Sequence, residues 1–157
     1  MNGMIKRRVI AGAAVTMCAA AVCAGTPRTW DGSASSDWFD AANWDPAGVP
    51  AAGDEVTIGA GTALLSADTP ALASLSLSGT LVFTNWNTTL SATNVVIASG
   101  GIMTLPSAYT NTVMSNNVVI VCSNLTVASG GKIDVDGKGY AGGARFSTSP
   151  AGDGHGP

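Results

Sequence analysis

The sequence predicts an all-β fold: a short right-handed parallel β-helix (β-solenoid) of about three to four coils, preceded by a tryptophan-rich cap. Three observations predict it. A twelve-residue pattern occurs twice, two shorter copies of it lie upstream, and the composition favours strands and tight turns over helices.

The repeated pattern occupies residues 94–105 and returns at 124–135, thirty residues later. Each copy holds two apolar residues in alternation, a corner of Ala-Ser-Gly-Gly, and two more apolar residues in alternation. A period of two is typical of β-strands, and glycine is typical of sharp turns. Each copy therefore predicts a strand, a bend and a second strand.

The four copies begin at Val56, Leu75, Val95 and Leu125, so the steps between them are 19, 20 and 30 residues. Repeats at this spacing are typical of solenoids, in which each coil buries its apolar side against its neighbours. The longer last step predicts a loop of about ten residues within 106–117. The residues expected to face inward are Val56, Ile58, Leu64, Leu75, Leu77, Leu81, Phe83, Val95, Ile97, Met103, Leu105, Leu125, Val127, Ile133 and Val135.

Asparagines are expected at the corners of the coils. Asn94, Asn117 and Asn124 occupy such positions, where asparagine tolerates unusual backbone angles and can stack between coils. The stretch 85–89 predicts a turn with Trp86 on its flank.

Composition and the N-terminus indicate export. Charged residues make up only 11% of the 157-residue chain, which disfavours long surface helices. Residues 1–24 combine a basic start, a short apolar stretch and small residues before Gly25, which predicts a cleaved signal peptide, with an uncleaved anchor as the alternative. Cleavage removes three of seven basic residues and none of the ten acidic ones, which leaves a net charge of −6. We therefore expect no nucleic-acid partner and no stable membrane span after cleavage.

Three of the four tryptophans, Trp30, Trp38 and Trp44, lie in the segment 25–55, immediately before the first predicted coil. An open coil end exposes apolar core and unpaired strand edges, which bulky aromatic residues can cover. A cap is therefore the first interpretation of this segment. The second is a platform for glycans, since flat indole faces can stack on sugar rings.

The same segment carries a resemblance. Trp30-Asp31-Gly32, Trp38, Asn43-Trp44 and the run Gly48-x-Pro50-x-x-Gly53-Asp54-x-Val56-x-Ile58 resemble the opening of exported bacterial parallel β-helix surface proteins. These include autotransporter-type adhesins and long repeat-bearing surface proteins. The resemblance implies a bacterial, extracellular or cell-surface location and an extracellular glycan or a host or neighbouring cell surface as partner. Such proteins are usually much longer than this chain.

Residues able to carry chemistry are few. The only histidine, His155, lies in a Gly-rich stretch expected to be flexible, so a fixed catalytic base is missing. Asp134 and Asp136 alternate along one predicted strand and are the candidates for calcium or acid–base chemistry, with solvated side chains as the plainer interpretation. Cys122 has no partner once the signal is removed and is expected to be a buried free thiol. We expect no catalytic residues, no metal and no cofactor.

The sequence thus divides into a signal peptide (1–24), a cap (25–55), coils (56–137) and a Gly-rich flexible tail (138–157). It predicts an exported, non-catalytic β-solenoid segment of a cell-surface or secreted structural, adhesin-like protein. Because the tail offers no cap for the last coil, we expect this segment to be the N-terminal piece of a longer chain. The alternative is a carbohydrate-binding or carbohydrate-active β-helix module, like polysaccharide lyases and hydrolases.

Overall fold

A computed structural model describes residues 25–108 and 117–139 of the chain. Within these ranges it contains ten β-strands and one short 3-10 helix, Ala41–Asn43. The strands are β1 (Pro27–Trp30), β2 (Trp44–Asp45), β3 (Glu55–Ile58), β4 (Thr62–Leu65), β5 (Leu72–Leu77), β6 (Thr80–Phe83), β7 (Thr89–Ile97), β8 (Ile102–Thr104), β9 (Val119–Val127) and β10 (Lys132–Asp134). The all-β class is confirmed.

The strands form two sheets between which the chain alternates. The larger sheet has the order β2-β1-β3-β5-β7-β9, and the smaller has the order β10-β8-β6-β4. All neighbours in both sheets are parallel except β1 and β2. From β5 onward, each strand therefore pairs with the strand two places earlier in the chain, after one passage through the opposite sheet.

The register matches the repeat in the sequence. Val56 pairs with Leu75, Leu75 with Val95, and Val95 with Leu125. These are the starting residues of the four copies, and their steps of 19, 20 and 30 residues are the steps of the larger sheet. Equivalent residues of successive strands therefore form columns, which we define as sets of residues at one register position. Columns of apolar side chains fill the space on the inner side of the sheets.

The core contains most of the residues that were expected to face inward. Its buried apolar members are Trp30, Trp38, Trp44, Val56, Ile58, Ala63, Leu65, Leu72, Leu75, Leu77, Leu81, Phe83, Leu90, Ala92, Val95, Ile97, Met103 and Leu105. The prediction for Leu64 was wrong. Leu64 is 36% exposed, because Ala63 and Leu65 take the inward positions of β4 and pair with Leu81 and Phe83.

The last strands differ from their predecessors. Leu125, Val127, Ile133 and Val135 were expected to be inside, but all four are at least 40% exposed. Leu125 and Val127 share columns with buried Val95 and Ile97, and Ile133 shares one with buried Met103. They lie on the inner side as predicted, and they are exposed because no further strand among the described residues covers them.

The glycine corners allow successive turns to approach closely. In the Ser99-Gly100-Gly101 corner, Gly100 has φ +83°, a left-handed conformation that side chains disfavour. A Cβ placed on Gly101 would lie 2.2 Å from the carbonyl oxygen of Leu77 in the strand below. Glycine is therefore required at position 100 by the backbone conformation and at position 101 by the close packing against Leu77.

The predicted asparagine stack is present at one pair. Asn124 Nδ2 donates to Asn94 Oδ1 at 2.9 Å, and the two residues are register partners. They lie inside the long strands β7 and β9 and not between strands. At Thr93 and Asn94 two successive residues are exposed, which breaks the alternation of buried and exposed residues along β7.

The segment expected to be a cap also begins both sheets. β1 pairs in parallel with β3, and Asp37 makes a parallel bridge with Leu64 of β4. β2 then returns antiparallel on the outer edge of β1, where Trp30 pairs with Trp44. This reversal covers the edge at which a further parallel strand would otherwise pair.

Several predictions fall outside the described residues. These are the signal peptide (1–24), most of the 106–117 loop and nearly all of the tail, including His155. Within the described residues, no helix is long and apolar enough to span a membrane.

The Gly-Gly corner yields a stability prediction. Gly101→Ala should lower the free energy of unfolding by more than about 1 kcal/mol, because the new methyl group meets the Leu77 carbonyl. Gly59→Ala is the matched control, since Gly59 lies in an equivalent corner with no atom within 4 Å of an added Cβ. Urea unfolding of both variants measures the difference. Equal stability of the two would contradict the close approach at Gly101.

Candidate functional site

The three tryptophans of the cap form one buried cluster. Trp44 lies in the middle, with its ring centroid 5.0 Å from that of Trp30 and 4.8 Å from that of Trp38. Both pairs are close to edge-to-face, an arrangement that stabilises aromatic contacts. Trp44 Nε1 also donates to the carbonyl oxygen of Trp38 at 2.8 Å. The exposed fraction of each residue is 5% or less.

Their burial bears on the two roles predicted for these residues. Trp30, Trp38 and Trp44 cover the apolar columns at the start of the stack, as a cap would. No indole face in the cluster is open to a sugar ring in this conformation, because the rings pack on one another and on the core. Glycan binding by these three residues stays a prediction, and it would need the cluster to open.

Buried Asn43 holds the loop that leads to Trp38. Its Oδ1 accepts hydrogen bonds from the backbone N–H groups of Ala34 at 3.0 Å and Ser35 at 2.8 Å. Its Nδ2 donates to Ser35 Oγ at 2.8 Å and to the carbonyl oxygen of Asp37 at 2.9 Å. A fully buried amide thus has every side-chain donor and acceptor paired, which fixes the loop against the cap.

A buried carboxylate ties the cap to the first strands. Asp54 accepts from the backbone N–H groups of Thr26 at 2.8 Å and Ala51 at 2.9 Å, and from Arg28 Nε at 3.3 Å. Burial by itself would raise the pKa of Asp54. The hydrogen bonds from Ala51, Thr26 and Arg28 together outweigh burial, so the net effect is a lowered pKa.

The two aspartates singled out as metal or acid–base candidates do not share a strand. Asp134 ends β10, whereas Asp136 lies in the turn beyond it. Asp134 Oδ2 accepts from Lys132 Nζ at 2.6 Å, and its Oδ1 accepts from the backbone N–H of Asp136 at 3.2 Å. The hydrogen bond from Lys132 is the main reason for a lowered pKa of Asp134. Among the described residues, no group of three or more His, Cys, Asp or Glu side chains could hold a metal ion.

Cys122 is a free thiol that is only partly buried. It packs against the edge of the core from β9, beside the similarly half-buried Ile120. The expectation of a fully buried thiol was therefore too strong, for the same reason that Leu125 is exposed: within residues 25–108 and 117–139, β9 has a neighbouring strand on one side only.

Two surface features stand out once the core is accounted for. The first is the open end, which we define as Leu125, Val127, Ile133 and Val135 at the last strands. A depression of about 530 Å³ next to it is lined by the apolar side chains of Leu105, Val118, Ile120, Ile133 and Val135, together with Asn117, Lys138 and Gly139. The sequence indicated the four residues of the open end as core but could not indicate that they would lie at the surface.

The second feature is Trp86, on the turn between β6 and β7. It is 47% exposed, in contrast to the other three tryptophans. Sequence reasoning placed it on the flank of a turn and gave it no role. The signal that could have marked it is its neighbourhood, since an aromatic residue between two asparagines in a turn has no apolar partner along the chain.

Comparison with known families gives a match for the central part of the chain. The G8 domain matches residues 43–122, about half of the 157-residue chain. The chain belongs to the G8 domain family. No curated protein and no solved structure matches it.

The G8 domain runs from Asn43, in the cap, to Cys122, within β9. It includes Trp44 and Trp86 but not Trp30 or Trp38. The G8 domain is typically extracellular, which agrees with the export predicted from the sequence.

Asp54 makes acid sensitivity testable. A carboxyl group whose folded pKa lies below its ordinary value contributes stability above that value and loses it as the pH falls through the folded pKa. From about pH 5 downward, the free energy of unfolding should therefore fall. Asp54→Asn should lower the free energy of unfolding by about 1–3 kcal/mol at neutral pH. The free energy of unfolding of this variant should also fall less steeply with decreasing pH.

The control is Asp45→Asn, which removes an exposed carboxylate of β2. Urea unfolding across the pH range should give the control nearly the wild-type slope. A wild-type slope in Asp54→Asn would show that Asp54 contributes nothing to acid sensitivity.

Proposed function

We propose that the chain is a structural module of an exported cell-surface or secreted protein, built as a right-handed parallel β-helix that continues into further coils of the same protein. The observation on which this rests is the open end. Three features of the structure support it: the alternation of the chain between the two sheets, the exposure of the last residues in apolar columns, and the difference between the two ends of the stack.

Alternation between sheets supports a helical path. Each passage from the larger sheet to the smaller one and back advances the chain by one position in both sheets. β3 and β4, β5 and β6, β7 and β8, and β9 and β10 are the four successive passages. A chain that winds this way forms coils, and coils of this kind contact only their neighbours.

The apolar columns support continuation. Val56, Leu75 and Val95 are each no more than 1% exposed, but the next residue of their column, Leu125, is 46% exposed. A fifth coil would cover it. Burial of such a side chain contributes about 1.5–3 kcal/mol, so leaving several uncovered at one end is costly for an isolated module.

The two ends differ in the way that continuation in one direction requires. At the N-terminal end, antiparallel β2 and the tryptophan cluster cover the sheet edge. At the other end, β9 and β10 each pair on one side only among the described residues. An unpaired parallel edge with apolar side chains beside it is suited to accept another strand.

The role we propose is mechanical. Stacked, backbone-paired coils form a stiff rod, and its exposed Ser, Thr and Asn residues face outward. An adhesin-like function at a bacterial surface, towards a glycan or a host or neighbouring cell, is part of the same proposal and is based on the resemblance of the cap segment. The alternative, a carbohydrate-binding or carbohydrate-cleaving module, has support for its binding form alone, from the exposed Trp86.

The proposal predicts that a lysine at Val127 costs little stability in the original chain and much more once a further unit covers this residue. Val127→Lys should change the free energy of unfolding by no more than about 0.5 kcal/mol, because Val127 is at the surface. Ile97→Lys, one strand earlier in the same column, should cost more than about 3 kcal/mol, because Ile97 is buried. Inserting a second copy of residues 107–136 after Asp136 should cover Val127, so that Val127→Lys then becomes costly too.

Urea unfolding and binding of an apolar fluorescent dye measure both settings. Dye binding should stay near its original level when the extra unit is present, because the copied unit covers the original open end and presents an identical one of its own. Equal costs of the two lysine substitutions in the original chain would contradict the proposal. So would a dimer that Val127→Lys dissociates, because a second copy would then cover the end.

A further inference from the structure

Trp86 lies in a setting that the structural role does not explain. A depression of about 610 Å³ lies between the turn that follows β6 and the turn that follows β4. Its lining is Ser66, Ala67, Asp68, Asn85, Trp86, Asn87 and Thr88. Apart from Trp86 and one alanine, every residue that lines this depression has a polar side chain. The depression therefore differs from the apolar one at the open end.

Hydrogen bonds hold the polar walls in place. Asn85 Nδ2 donates to the carbonyl oxygen of Ser66, which ties the two turns together. Asp68 Oδ1 accepts from the backbone N–H of Thr89 at 2.7 Å, which fixes the carboxylate beside the same turn. Asn85 and Asp68 are thus held in place before a ligand binds, and little side-chain entropy of these two residues remains to be lost.

A buried hydroxyl adds a second observation. Thr88 is 1% exposed, and its Oγ1 has no hydrogen-bond partner among the described residues. Buried polar groups are nearly always paired, so an unpaired hydroxyl in the wall of a depression is unusual. Asn87, next to it, adds an exposed amide that can both donate and accept.

We propose that this depression binds one ring of a neutral carbohydrate. The indole of Trp86 offers a flat apolar face to the C–H groups on one side of a pyranose. Asp68, Asn85 and Asn87 offer the acceptors and donors that the ring hydroxyls need. An exposed aromatic plate bordered by fixed amide and carboxylate groups matches a ligand that is apolar on its face and polar at its rim.

Charge selects a neutral sugar over other ligands. Asp68 is the only charged residue in the lining, so it would repel a uronate or a sulfated sugar. An organic cation would be held better by several aromatic faces than by one. A nucleic acid is disfavoured by the net charge of −6 that remains after signal cleavage.

This inference goes beyond the structural role proposed above and gives the glycan-binding alternative a site. It moves that site from the buried cap cluster, Trp30, Trp38 and Trp44, to the turn at Trp86. The structural proposal and this one fail separately, since sugar binding says nothing about the open end and unfolding of the lysine variants says nothing about sugar.

The test is titration of the full chain with four neutral oligosaccharides, maltohexaose, cellohexaose, mannohexaose and xylohexaose, and one acidic one, hexagalacturonate. Calorimetry gives the affinity. Quenching of tryptophan fluorescence by acrylamide reports chiefly on Trp86, because the other three indoles are buried. At least one neutral probe should bind with a dissociation constant below about 1 mM and protect Trp86 from quenching.

Trp86→Ala should weaken that binding by about tenfold or more, and Trp86→Phe should retain part of it. Val121→Ala is the matched control, since Val121 is an exposed apolar residue of β9 away from the depression. Asn87→Ala is a second site variant in case Trp86→Ala does not fold, and it too should weaken binding. The unfolding midpoint of each variant that folds should stay at the wild-type value.

Three results would overturn the proposal. The first is no binding of any neutral probe at about 5 mM. The second is unchanged affinity in the site variants that fold. The third is tighter binding of hexagalacturonate than of every neutral probe, which would contradict the role of Asp68.

Discussion

Parallel, in-register stacking of strands is the constraint on which the rest of this structure depends. Residues 74–77 of β5 each lie beside an equivalent residue in β3 and in β7, so that apolar columns pass through the stack. Backbone hydrogen bonds and the burial of these columns act together, because both need the same register. The Gly-Gly corners follow from this constraint, since neighbouring turns can approach closely only where no side chain lies between their backbones.

The stack of strands has two ends, and they differ in structure. The N-terminal end is closed by a tryptophan cluster, a buried asparagine with four hydrogen bonds and a carboxylate that bonds to two backbone N–H groups and an arginine. The side-chain polar atoms of the asparagine and the carboxylate are all paired, which allows them to lie next to an apolar core. The buried indole N–H of Trp38 has no partner among the described residues. The opposite end has apolar side chains and no comparable polar network among the described residues. That asymmetry is the basis of the proposal that the module continues in one direction.

The sequence predicted the strands, the register and most of the core, because alternation and a fixed step leave few arrangements possible. It failed where three apolar residues are adjacent: in Ala63-Leu64-Leu65 the middle residue was chosen, but the alternation puts its two neighbours inside. It could not separate the two roles of the cap tryptophans, because a cover and a sugar platform need the same residue type and differ only in exposure. The hydrogen-bond partners of Asn43 and the depression at Trp86 could not be predicted either. Both depend on which loops and turns lie next to each other in space, and the alternation of apolar residues does not contain that information.

The most direct test of the stacking is a disulfide between equivalent positions. Val96 and Thr126 are both exposed and are register partners on β7 and β9, so their Cα atoms should be about 4.8 Å apart. In a chain that begins at Gly25 and carries Cys122→Ser, the pair Val96→Cys and Thr126→Cys should form an intramolecular disulfide on mild oxidation, as measured by intact mass. The pair Thr57→Cys and Thr126→Cys, from β3 and β9, should stay reduced. A reduced first pair, or equal oxidation of both pairs, would contradict the stack.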